Sequence, residues 1–207
     1  RKYSLDEIGR LMAVKLDFKN MLKQAIQQGA ETLAASSSDA NLEMLETLAV
    51  KIVDSLKNGG KVLLCGNGGS ASQAQHIAAE FVGRFKRERR GLASIALTTD
   101  TSIITAVAND YGYEQIFSRQ VESLGRAGDV LIGLSTSGNS GNVIRAVELA
   151  LELGLTVASF TGQKGGKMAS MVPLVFRAPS DDTSHIQETH ITALHALCDV
   201  VESTFSS

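Results

Sequence analysis

The sequence predicts a three-layer α/β fold built around a parallel sheet, with an added pair of helices at the N-terminus. Five short apolar runs follow Lys61: Val62–Cys65, Ser94–Leu97, Val130–Leu134, Thr156–Phe160 and Pro173–Phe176. None alternates strictly between apolar and polar residues, as strands covered on both faces should not. Helical stretches separate the runs, so right-handed βαβ crossovers and parallel strands follow.

The first helical pattern extends from about Leu5 to Leu33, with Ile8, Met12, Leu16, Met21, Ile26 and Leu33 on or near one stripe. A polar break, Ala34-Ala35-Ser36-Ser37-Ser38, separates it from a second pattern in which Leu42, Leu45, Leu48, Ile52, Val53 and Leu56 recur at helical spacing. Asp39 is placed to cap that second helix. A final helix, about Ser184 to Phe205, carries Ile186, Leu194, Leu197, Val200 and Val201. With no internal repeat or interdomain linker, the reading is one domain over 1–207: a helical extension over 1–58 and an α/β core over 61–205.

A chain of 207 residues buries roughly 70% of the surface its unfolded form exposes and needs no covalent staple. Its 20 Lys+Arg nearly balance 22 Asp+Glu, so no strong field points to nucleic acid or an anionic membrane. The basic run Arg84-Phe85-Lys86-Arg87-Glu88-Arg89-Arg90 reads as a solvated helix end and loop. Cys65 and Cys198 lie far apart without CxxC spacing and read as reduced core thiols. Neither a signal-peptide pattern nor a bilayer-length apolar run is visible, and the expected location is cytoplasmic.

Each functional cluster falls where a strand hands over to a helix, the edge at which parallel sheets bind ligands. Gly66-Asn67-Gly68-Gly69-Ser70 follows the first strand. Its glycines admit a ligand to the backbone, and Ser70 can cap the next helix while neighbouring N–H groups face an anion. It matches neither GxGxxG nor Walker A, and alone it would serve equally as a tight turn without a ligand. Ser135-Thr136-Ser137-Gly138-Asn139-Ser140 follows the third strand and sets four hydroxyls at a helix N-terminus. A neutral cradle of donors in the helix dipole suits a phosphate without Lys or Arg. Ser140 alone would suffice as the N-cap of a helix beginning near Asn142, so the surplus hydroxyls favour a phosphate site.

A third group mixes two helices. His76 and Glu80 stand at i, i+4 and share a face, a spacing that serves one divalent metal or an acid/base pair. Gln187, Glu188, His190 and His195 lie on the last helix, and three of the chain's four histidines fall at 185–195.

These motifs, in this order and joined by Asn109-Asp110-Tyr111-Gly112, Thr161-Gly162-x-x-Gly165-Gly166-x-Met168 and Ile186-Gln187-Glu188-x-His190-x-x-x-x-His195, resemble the sugar isomerase (SIS) domain family over about Leu42 to Val201. Within it the chain is most similar to the sedoheptulose 7-phosphate isomerases of bacterial heptose synthesis. The resemblance implies a five-stranded parallel, flavodoxin-like sheet, a homotetramer and a sugar-phosphate substrate. It assigns Ser135, Thr136, Ser137 and Ser140 to phosphate, and Asn67, Gly68, Gly69, Asn109 and Asp110 to substrate. Ser70 joins the substrate-binding set as part of the first loop, with Glu80 and Gln187. His76, Glu80, Gln187 and His195 correspond to zinc ligands, with Glu80 and His195 also the acid/base pair. Arg90-Gly91 stands where many relatives have Arg-Pro-Gly, and Gly141 where Ala is common; neither removes a chemical group.

Some proteins of this family bind the replication initiator instead of catalysing. They lack the carboxylate and imidazole at the positions of Glu80 and His195 and interrupt the serine loop with Arg, so the residues here favour the enzyme. A phosphosugar-sensing regulatory domain, the third possibility, usually comes fused to a DNA-binding or catalytic partner. One geometric point stays open. Gln187 and His195 are eight residues apart, roughly 12 Å in regular helix and some 80° out of phase. Either Gln187 precedes the helix proper, or the metal site draws on more than one chain; the expectation is active sites at subunit interfaces, each completed by the last helix or a neighbour's loop.

Overall fold

The computed structural model describes residues 17–206. Strands β1 (Val62–Gly66), β2 (Ser94–Ala96), β3 (Val130–Leu134), β4 (Thr156–Gly162) and β5 (Leu174–Ala178) form one sheet in the order β2-β1-β3-β4-β5. Every pairing is parallel. This is the flavodoxin-like order, which reverses between β1 and β3 and opens a crevice at their carboxyl ends. Gly66 pairs with Leu134 at that edge, so the glycine and serine loops leave adjacent strands at the same level.

Side-chain alternation along the buried strands divides the core in two. Val62, Leu64, Val130, Ile132 and Phe160 face helices α2 (Asp39–Lys57), α3 (Gly69–Val82) and α7 (Thr183–Ser203). Leu63, Cys65, Leu131 and Val157 face α5 (Ser118–Leu124) and α6 (Gly141–Glu152). Helix α4 (Thr101–Tyr111) and two single-turn 3₁₀ segments, Tyr113–Gln115 and Met168–Ser170, complete the connections. Both cysteines are buried, as expected, and burial pushes each thiol up to about 12.

Helix α1 (Phe18–Ala35) is capped by Asp17, whose carboxylate accepts the Asn20 N–H, and it packs on α7. The expected start near Leu5, with Ile8, Met12 and Leu16, lies outside the described residues. Three local expectations are corrected. Ser38, not Asp39, caps α2, because its extended backbone turns the hydroxyl onto the Asn41 N–H. Ser70 caps nothing: α3 begins at Gly69 with Gly68 as N-cap, and Ser70 is buried one step inside. The run Arg84–Arg90 is not simply solvated. Lys86 and Arg87 pair with Asp199 at 2.7 and 2.5 Å, and Arg89 is buried against Glu202. Among the described residues no helix is long and apolar enough to cross a membrane.

Candidate active site

The crevice at the β1/β3 switch holds a cavity of about 280 Å³, lined by Asn67, Gly68, Gly69, Ser70, Leu134, Ser135, Thr136, Ser140, Thr183 and Gln187. Eight of these ten are residues singled out in the sequence; Leu134 and Thr183 are not. Gly68 adopts φ +54°, which a side chain would strain, and turns the chain directly from strand to helix. A Cβ on Gly69 would lie 2.6 Å from the Gln187 amide, so this glycine lets α7 close over the loop.

On the serine side the hydroxyls converge. Ser135 Oγ lies 2.8 Å from Ser140 Oγ and 3.4 Å from Ser137 Oγ. Ser140 occupies the N-cap position of α6, but its hydroxyl caps no N–H and turns to Ser135 instead. The Gly162–Met168 motif supports this loop from behind: Met168 N–H donates to the Gly138 carbonyl and Lys167 N–H to Asn139 Oδ1. Gly138, at φ +66°, passes so close to Gly165 that a Cβ would overlap its carbonyl.

Asn142 joins the two loops, a role that sequence reading missed. Its side-chain amide and that of Asn67 exchange two hydrogen bonds of 2.8 Å, and the Tyr113 hydroxyl donates to Asn67 Oδ1 at 3.0 Å. Asn109 and Asp110 are not brought into the cavity. They are exposed at the end of α4 and bond to each other, Asn109 Nδ2 donating to Asp110 Oδ1.

Helices α3 and α7 run side by side from parallel strands, and a second constellation forms along their seam. His76 Nε2 lies 2.9 Å from His195 Nε2 and 3.2 Å from Glu80 Oε1. One ligand atom from each of the three falls within 4.8 Å of the others. Two imidazole nitrogens and a carboxylate oxygen suit a divalent cation such as zinc. Ligation requires neutral imidazole, and burial, with the neighbouring His76, pushes His195 below the ordinary histidine range; Glu80 acts in the opposite sense. The Phe85 ring stacks on His195 at 5.4 Å.

Gln187 belongs to regular helix, since α7 starts at Thr183; the suggestion that it precedes the helix is corrected. Its amide lies over Gly69 at the cavity. His76, Glu80 and His195 converge within a single chain, so no second subunit is required to bring them together. His190 plays another part: it is buried between Phe160 and Phe176, with Nε2 3.0 Å from the Thr161 carbonyl. Burial lowers its pKa to about 4.

The SIS-domain family model matches residues 17–162. The chain belongs to the SIS-domain family. Among its SIS-domain relatives, the phosphoheptose isomerase of Helicobacter pylori (strain P12) is 52% identical over 184 residues, covering 89% of this chain and 92% of the relative. That of Aquifex aeolicus is 57% identical over 173 residues, covering 80% and 91%. The solved structure of phosphoheptose isomerase from Neisseria gonorrhoeae aligns with a TM-score of 0.84 at 44% identity, covering 89% of this chain and 98% of that one.

Proposed function

We propose that this SIS-domain protein is a phosphoheptose isomerase, interconverting sedoheptulose 7-phosphate and D-glycero-D-manno-heptose 7-phosphate in bacterial heptose synthesis. The observation that carries the reading is the pairing of a neutral hydroxyl cradle with the His76–Glu80–His195 group beside one crevice. Relatives above 50% identity that bear the same activity name support it.

In this reading Ser135, Thr136, Ser137 and Ser140 hold the phosphate, and the glycine loop, Asn67 and Gln187 hold the sugar. Ser70, Asn109 and Asp110 keep their substrate roles as proposals from resemblance alone. The Glu80 carboxylate takes a proton from C1 of the ketose, giving an enediol, and returns a proton to C2 of the aldose. The His195 imidazole relays the accompanying proton between the two oxygens. Phosphate binding holds the reacting end in register. His76, Glu80 and His195 would hold a zinc ion, which would supply polarisation of the sugar oxygens when bound; Gln187 is a ligand by resemblance alone, its amide lying over Gly69. Glu80 would then have two duties, metal ligand and base, which ligand exchange on substrate binding or incomplete metal occupancy would reconcile.

The protein is further proposed to act in the cytoplasm as a homotetramer with one SIS domain per chain. The apolar face of α1 supports assembly: Phe18, Met21, Leu22 and Ile26 are all more than half exposed. Incubation with sedoheptulose 7-phosphate, with and without a chelator, tests the function. Formation of the aldose 7-phosphate, lost with chelator and restored by zinc, is expected. Absence of turnover with zinc present would overturn the reading.

A further inference from the structure

The segment after α3 is held by two buried charges to which the proposed reaction gives no role. The Glu202 carboxylate, 1% exposed, accepts the main-chain N–H groups of Phe85, Lys86 and Arg87 at 2.8, 2.7 and 2.9 Å. Its charge partner is the Arg89 guanidinium, also 1% exposed, with Nε 3.3 Å away. The remaining nitrogens of that fork cap α3, donating to the carbonyls of Glu80, Phe81 and Gly83 at 2.7, 2.9 and 2.8 Å.

Helix α3 ends at Gly83, but at φ −78° this glycine is not in the left-handed conformation with which many helices close, and the last carbonyls go to Arg89 instead. A desolvated Arg–Glu pair is a demanding substitute, since apolar residues of similar volume often stabilise a fold as well or better. What the pair holds explains its presence. Glu202 stands seven residues after His195 on α7, two turns along and on nearly the same stripe. Arg89 binds the carbonyl of Glu80 itself. The two charges therefore join the residue bearing the carboxylate to the helix bearing the imidazole. The loop they anchor lays the Phe85 ring on His195, with an interplanar angle of 20°.

We propose that Arg89 and Glu202 are positioning residues that fix α3 against α7, holding His76, Glu80 and His195 in one converging group with Phe85 against His195. The inference rests on reading that group as the metal and acid/base site.

The test titrates cobalt(II) into the metal-free full-length protein, followed by visible absorption, beside kcat and KM for sedoheptulose 7-phosphate. The principal variant, Arg89→Met with Glu202→Leu, removes both charges and leaves neither unpaired. Circular dichroism checks its fold. Partners behind metal ligands typically control affinity by about 10–100-fold, so the cobalt Kd should weaken by that factor and kcat should fall comparably. KM should stay within about twofold, because the hydroxyl cradle is untouched. Arg89→Lys keeps the charge without the fork and should recover part of the loss.

A folded double variant with wild-type cobalt affinity and kcat overturns the proposal. So does a rise in KM alone. Should the double variant not fold, Arg89→Lys decides, and an unchanged cobalt Kd in it is equally contrary. Wild-type protein that binds cobalt but turns over no sugar refutes the proposed function, while the cobalt comparison still judges the positioning role. Wild-type protein that binds no cobalt overturns the positioning role.

Discussion

The hydroxyl cradle and the α3–α7 seam lie beside the same crevice and are built on different principles. The cradle is local: three serines within six residues meet because β3 ends, the chain turns at Gly138 and α6 begins. The seam is distant: His76 and His195 are 119 residues apart and meet only because the fold packs their helices together on one face of the sheet. The cradle offers neutral donors and suits a dianion that does not change during the reaction. The seam offers groups that can exchange protons or bind metal, held by buried charge behind them. In the proposed function binding and chemistry are thus divided between a loop and a helix pair, and separate substitutions can test each.

The largest effect should come from the seam. Glu80→Gln is nearly isosteric and should lower kcat by roughly 10²–10⁴ with little change in KM or melting temperature. Steady-state kinetics would show it, and retained turnover would place the base elsewhere. The cradle should give the opposite signature. Ser137→Ala with Ser140→Ala should raise KM strongly, losing about 1–3 kcal/mol for each charge-assisted bond removed. An unchanged KM would break the division.

Helix α7 serves both regions, and its stability has an acid limit set by His190. Burial lowers this histidine's pKa from the ordinary 6.5 to about 4 in the folded protein, so between those two values mainly the unfolded state takes up the proton. Its contribution is complete above pH 6.5 and declines as pH falls toward 4, by about 3 kcal/mol in total. Urea midpoints measured from pH 7.5 to 4.5 should fall accordingly, and less so in His190→Gln. The smallest expected effect lies between the regions. Asn142→Ala breaks the reciprocal amide pair with Asn67 and should raise KM severalfold, about 1 kcal/mol, with kcat nearly unchanged. An equal fall in kcat would show that the two halves do not separate.

The same contrast explains what the sequence revealed. The five strands, the parallel sheet and both loops were legible because hydrophobic runs and turn residues act over a few positions. His76 and Glu80 were legible as a helical pair, and the resemblance joined His195 to them. Asn142 was not, because it reads only as the start of the helix that Ser140 precedes. Arg89 and Glu202 were missed for a stronger reason: a charged run reads as solvated until a carboxylate from a helix over 100 residues away is seen to bury it. Asn109 and Asp110 show the reverse, a resemblance that the cavity itself does not contain.

The central claim is that the seam moves a proton between adjacent carbons while the cradle holds the phosphate. Its most direct test is isomerisation of sedoheptulose 7-phosphate in D₂O, followed by proton NMR until equilibrium and beyond. Wild-type protein should place solvent deuterium at C2 of the aldose and, with repeated interconversion, at C1 of the ketose, whereas Glu80→Gln should place almost none. Full equilibration by the wild type with no deuterium in either sugar, even after many interconversions, would contradict a seam whose carboxyl exchanges its proton with solvent and would favour a direct hydride shift.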